Sequence, residues 1–313
     1  MARAYGQVAP KVPHALHMPT HIFTRVGYWD ESITWNRRAR EAAQSIKIGG
    51  GVYSEFAHAS DYLTYAFLQL GQDAKALAAH HALFQPASFQ DNFPSAYALA
   101  AVPARLVLER AQWEAAATLP VRQPETFPWE KYPQCEAIIH FARGVGAARS
   151  GNLPAAQDSI RMLEGIAEQA AQADLSYWAQ QVKVQQLTIQ AWLTYAENRR
   201  EEALRLMTEA AALEDSLDKH PVTPGAVLPA RELLGDMLME VGRYGDALAA
   251  YEAMLRISPN RFNSLASAGR AAERAGLSPE ATTYYTRLLK LAGESDTVRP
   301  GLTYAKAFLD TKE

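Results

Sequence analysis

The chain has 313 residues, 48% of them hydrophobic, with 31 basic against 34 acidic side chains, a net charge of −3 and no block of like charge. That material suffices for two compact domains or one elongated array, and it excludes the basic footprint that a nucleic-acid or anionic-membrane partner requires. Cys135 is the one cysteine, which excludes an intrachain disulfide and any CxxC zinc or redox pair and predicts a buried, inert thiol.

At the N-terminus, "MARAYGQVAP" lacks the apolar core of a signal peptide, and no later run approaches the roughly 20 apolar residues that span a bilayer. A soluble chain is expected, cytoplasmic by default. "ARAYGQVAPKVPHA" reads as the end of a second helix running through Pro10 into the next unit, which makes residues 1–12 the remnant of a preceding hairpin. Its first helical partner is missing, so the expectation is either a C-terminal portion of a longer array or an open end covered by a homo-oligomer contact near Val8 and Val12.

From residue 13 onward helix-forming segments come in pairs, each meeting at a short turn: "RVGYWDESI", "QLGQDAKAL", "ERAQWEAAA", "RSGNLPAAQ", "AENRREEAL", "EVGRYGDAL" and "RAGLSPEAT". Measured at the turn residue (Gly27, Gly71, Ala111, Gly151, Asn198, Gly242, Gly276), the spacings are 44, 40, 40, 47, 44 and 34, the signature of a repeat array. Apolar residues fall at helical spacing beside each turn, as at Leu233, Leu234, Met237, Leu238 and Val241, and no alternating strand-length run lies between turns. One hairpin cannot bury its own apolar face. Neighbours must stack, and stacking with a small constant rotation predicts an all-α superhelix of about seven antiparallel hairpins with a concave inner wall.

In chain order this gives three hairpins over 13–118, a loop with prolines and aromatics over 119–135, the middle hairpins over 136–217, a Pro-rich loop over 218–229, two hairpins over 230–291 and a cap helix over 298–311. Either loop could fold over the concave face; a spacer hugging the outer surface is the plainer role for each.

The unit "ARELLGDMLMEVGRYGDALAAYEAMLRISPNR", Ala230 to Arg261, resembles a tetratricopeptide repeat: Leu233 and Leu234 in the first helix, Gly242 and Tyr244 at the turn, Ala247 and Tyr251 in the second helix, and Pro259 closing it. Phe262 to Leu291 matches nearly as well, and the earlier units fit more loosely. The segments "HALHMPTHIFTRVGYWDES" and "KHPVTPGAVLPARELLGDML" also resemble those of a group of uncharacterised bacterial tetratricopeptide proteins, whose longer members carry further histidines upstream. The resemblance implies no reaction.

The stretch "PHALHMPTHIF" is the chemically distinctive one. At about 100° per residue, His14, His17, Met18, His21 and Arg25 share one helical face. His14, His17 and His21 lie 13, 10 and 6 residues before Gly27, and His58, Asp61 and Tyr65 lie 13, 10 and 6 before Gly71. In tetratricopeptide proteins such first-helix positions line the concave groove, so the resemblance implies that both trios look into it, with Tyr62 beside them. The same offsets further on give Ala98, Ala101 and Arg105; Gln185, Thr188 and Trp192; Pro229, Glu232 and Asp236, with Arg231 adjacent; and Asn263, Ala266 and Arg270. The groove is therefore expected to be histidine-rich at one end and mixed in charge at the other, with His220 aimed into it from its Pro-locked loop.

His17 and His21, four residues apart, are spaced to share an ion, with His58 or Asp61 as third ligand; His14, two turns from His21, and Met18 are weaker candidates. Pro19 interrupts the helix between the two imidazoles and leaves their convergence open. A divalent zinc or copper ion is the cofactor this set suits, and imidazole ligands predict a site that weakens below roughly pH 6.5. Three functions follow: a groove that binds a peptide, protein or small ligand; a metal-dependent hydrolase or oxidase with Glu55 or Asp61 as base; or an oligomerisation scaffold. Plain packing is disfavoured at these offsets, where Leu or Ala would serve. His80 and His81 read as solvated, and His140 as a core histidine.

Overall fold

A computed structural model describes residues 2–5 and 7–311; Met1 and Gly6, within the stretch read above as a hairpin remnant, lie outside the described residues. The short helix α1 (Ala2–Tyr5) leads to α2 (Pro13–His17) and α3 (Pro19–Arg25), which meet end to end at Met18 and pair with α4 (Trp29–Gln44). Six further hairpins follow: α5 (Ser54–Gln69) with α6 (Asp73–Leu83), α7 (Phe93–Leu108) with α8 (Trp113–Ala117), α9 (Pro133–Ser150) with α10 (Leu153–Gln172), α11 (Ser176–Ala196) with α12 (Arg200–Asp215), α13 (Ala230–Glu240) with α14 (Tyr244–Ile257), and α15 (Phe262–Arg274) with α16 (Ser278–Leu291). The closing helix α17 (Pro300–Asp310) buries Leu302 and Ala305 against the last hairpin. This is the expected all-α superhelix of antiparallel hairpins, and none of its described helices is long and apolar enough to cross a membrane. Cys135 is buried in α9, where burial pushes its thiol up.

The turn residues explain the repetition. Gly27, Gly71, Ala111, Gly151, Asn198, Gly242 and Gly276 all have φ between 52° and 86°, and after each the next N–H returns to the carbonyl five residues back, as in Tyr28 N to Phe23 O at 2.8 Å and Leu277 N to Ala272 O at 2.8 Å. This Schellman closure satisfies carbonyls orphaned at the end of the first helix and sets the angle of the second. Glycine and asparagine tolerate the left-handed backbone; Ala111 does so at a cost of about 1 kcal/mol.

The two C-terminal hairpins are held by one contact used twice. A Cβ at Gly235 would sit 2.5 Å from the Tyr251 ring, and one at Gly269 would sit 2.5 Å from the Tyr285 ring, so each first helix lies against an aromatic of the second at a distance only glycine permits. Sequence periodicity misses one small feature. Lys47–Ile48 and Gly51–Val52 form a two-residue hairpin around Gly49 and Gly50, and Val52 bridges to the Phe89 segment.

The superhelix winds until its first and last units touch. Trp29 donates through Nε1 to Asn260 O at 2.8 Å, the Asp296 N–H reaches Gly71 O at 3.1 Å, and Arg299 pairs with Asp73 at 2.5 Å. Closure turns much of the concave wall inward. Helix α5, packed by α4, α7 and α15, is buried along its whole length, which is why its polar residues must find partners inside the protein. The Pro-rich loop 218–229 enters this space: Arg105 donates to Gly225 O and Ala226 O at 2.8 Å each, and Tyr62 to Val222 O at 3.3 Å. The 119–135 loop instead packs outside, with Trp129 buried and Lys131 and Tyr132 bonded to Asp91 at 2.5 and 2.8 Å.

Candidate metal centre

Pro19 does not separate the two imidazoles. Met18 keeps right-handed helical dihedrals between α2 and α3, so the chain continues round with little more than a lost hydrogen bond, and His17 and His21 still meet on one face, their rings edge to face. Their Nε2 atoms are 2.9 Å apart. His58, from α5, completes the group: ligand nitrogens of His17, His21 and His58 lie within 4.8 Å of one another, and the His17 and His58 ring centres are 4.3 Å apart. About 3.3 Å separates two nitrogens around a tetrahedral ion with bonds near 2 Å, so small side-chain movements bring this trio to ligand spacing.

The surroundings fix the protons. Asn36, buried in α4, donates through Nδ2 to Ser32 O at 2.8 Å and so presents Oδ1 to His17 Nδ1 at 2.7 Å. His17 therefore carries its proton on Nδ1 and points a bare Nε2 at the cluster. His21 Nδ1 is 2.9 Å from the Tyr62 hydroxyl. His58 is held by the rings of His17 at 4.3 Å and of Tyr62 at 5.3 Å. Burial holds His17 well below the ordinary imidazole range, aided by its histidine neighbours, and takes His21 to about 4 and His58 to about 3. All three are neutral, ligand-ready imidazoles near pH 7.

The cluster borders a pocket of about 840 Å³ lined by His14, Met18, His21, Arg25, Glu55, His58 and residues of the 218–222 segment. Glu55 accepts from His14 Nδ1 at 2.8 Å, and that hydrogen bond raises the His14 pKa; its other oxygen, Oε1, is buried without a partner, 3.7 Å from His17 Nδ1. His14 is thus a partner of Glu55 outside the cluster.

The other expected site residues separate from this centre. Asp61 is tied to Arg105 at 2.9 Å and both are buried; burial raises the Asp61 carboxyl despite the guanidinium. Spent on Arg105, it stands outside the three-imidazole cluster. Tyr65 accepts from Arg261 at 3.2 Å, and Arg261 lies between Glu109 and Glu232 at 2.7 Å from each. Asn263 donates to Glu109, Arg231 pairs with Asp215, and Arg270 pairs with Glu273 at 2.8 Å. Asp236 accepts from Tyr251 at 2.7 Å and is pushed by burial to about 7. Glu232, Asp236, Asn263 and Arg270 border a separate cleft of about 290 Å³. His220 packs its ring against Trp178 at 4.9 Å and Phe93 at 5.3 Å instead of joining the imidazole trio. His81 is exposed, His80 is half-buried, and His140 is a core residue.

Two residues of the site carry no periodic signal. Asn36 betrays itself only as a polar side chain in the apolar stripe Ile33, Trp35, Ala39, Ala43. Lys219 sits in a loop beside the more conspicuous His220, yet it is Lys219 that lines the pocket, with its ammonium on His220 O and Thr223 O.

No protein-family model matches the chain, and no curated protein matches it. Among solved structures it is similar to the crystal structure of the P58(IPK) TPR domain, at 14% identity over 98% of this chain and 82% of that one, with a TM-score of 0.35.

Proposed function

We propose that this helical-repeat protein binds one divalent first-row ion, zinc or copper, through His17, His21 and His58, at the head of a pocket that leaves a coordination position open to a ligand. The observation that carries the reading is the convergence of three neutral imidazoles, His17 and His58 buried and His21 partly so, with ring nitrogens within 4.8 Å of one another. Asn36 holds the Nδ1 proton of His17. With the Nε2 atom of His21 committed to an ion, its Nδ1 proton passes to Tyr62 O, and Tyr62 donates in turn to Val222 O. Imidazole nitrogens suit zinc and copper, and the Met18 thioether on the pocket wall favours the softer of them.

Metal analysis of protein purified without a histidine tag tests this. About one ion per chain is expected in the wild type and none in His17→Ala/His21→Ala, as for a three-ligand site that loses two ligands. Absence of metal from both after loading sinks the reading.

A second reading, association through the N-terminal edge, is favoured by the exposed apolar side chains there: Val8 81%, Val12 50%, Ile22 54% and Tyr28 49% exposed. A second copy of the chain is the occupant proposed. Sedimentation should then give a mass that rises with concentration and falls back in Ile22→Asp; an invariant monomer mass rejects it.

A further inference from the structure

We infer that the histidine pocket takes a small organic anion, its acidic head between the imidazole-bound ion and Lys219 with Arg25, and its apolar body on Met18, Tyr53, Pro94, Pro221 and Val222. This rests on the metal reading and goes beyond it by assigning the ligand class. The lining carries two cations, Arg25 and Lys219, and two carboxylates, Glu55 and Asp218. Its fixed charge is therefore balanced, apart from what His14 shares with Glu55, until a divalent ion adds two positive charges. The bound ion decides the sign of the pocket.

Both cations are placed to use that field. Arg25 lies one helical turn beyond His21 on α3, borders the pocket, and its charge acts on Lys219. Lys219 is half-buried, and its charge acts on both His21 and His58. Two loop carbonyls hold its ammonium on the pocket wall, so it arrives oriented. Burial and Arg25 lower its pKa to about 8, which leaves it protonated at neutral pH. The pocket's volume of about 840 Å³ is of the size that encloses a small organic ligand.

The test uses cobalt(II) in the full chain as a visible probe of the metal, titrated with benzoate, phenylphosphonate, benzyl alcohol and benzylamine. Benzoate or phenylphosphonate should change the cobalt spectrum at concentrations where benzyl alcohol and benzylammonium do not, and the metal-free protein should bind none of them. Lys219→Met should weaken the anion by about tenfold, the loss of one charge-assisted contact, and Lys219→Arg should restore it. Because Lys219→Met also frees loop carbonyls, Arg25→Met gives an independent reading: a weaker anion with an unchanged cobalt spectrum before titration. Equal binding of alcohol and anion, preference for the amine, or anion affinity unmoved in both variants overturns the inference while leaving the metal site standing. Failure to bind cobalt at all removes both.

Discussion

Two buried polar clusters sit a few residues apart on α5 and differ in how they are satisfied. Around Arg261, one guanidinium serves two carboxylates, and Glu109, Glu232, Tyr65, Ser264 and Gln69 close a network of direct hydrogen bonds. Around His17, the polar atoms are incompletely paired. Two Nε2 atoms meet at 2.9 Å with one proton between them, and Glu55 Oε1 has no partner. The first arrangement is complete as protein and holds the ends of the superhelix together; the second would be completed by the proposed cation. A buried polar group without its bond is costly, and Glu55 Oε1 is such a group beside the histidine pocket. Asp61 stands between the two cases, paired to Arg105 through one oxygen and bare at the other.

The largest difference should appear on breaking each cluster. Arg261→Met strands Glu109 and Glu232 in the interior and should cost about 3–5 kcal/mol in urea unfolding, the usual loss when one partner of a buried pair is removed. His58→Leu, by contrast, should leave the metal-free protein as stable or more so, because it replaces an imidazole desolvated by burial with an apolar group. A large loss in His58→Leu would erase the distinction.

Zinc reverses the ranking. At a hundredfold excess over Kd it should add about 2.7 kcal/mol to the wild type, read as a rise in Tm, and nothing to His58→Leu. Asn36→Leu should keep the fold but lower zinc affinity by about 10–100-fold, because His17 loses the bond that fixes its proton. Retention of full affinity there would show that Asn36 merely packs.

The two clusters also differ in their response to pH. Folded pKa values of about 4 and 3 for His21 and His58 lie below the free value of 6.5, so the unfolded chain takes up protons first. Metal-free stability should be full above pH 6.5 and decline as pH falls toward 4, and His58→Leu should flatten that slope. Zinc should stay bound below pH 6.5, contrary to the expectation from free imidazole, since protons compete for these nitrogens only near pH 4. Zinc release centred at 6.5 would contradict the burial seen here.

Much of the architecture was legible in the sequence because it is local. Turn residues that favour a left-handed backbone, recurring beside helical apolar stripes, specify hairpins wherever they occur, and Gly235 with Tyr251 specifies how one hairpin packs. His17, His21 and His58 were legible for the same reason, through shared offsets from Gly27 and Gly71. Those offsets also predicted neighbours that did not form. Asp61 and Tyr65 occupy groove positions in the pattern, but winding of the superhelix brings Arg105 and Arg261 against them. That contact depends on rotation summed over many units, which no single repeat encodes. Tertiary structure alone decided that His14 pairs with Glu55, that Asn36 orients His17, and that Lys219, not His220, walls the pocket, because each depends on a helix stagger or a loop path set by the whole array.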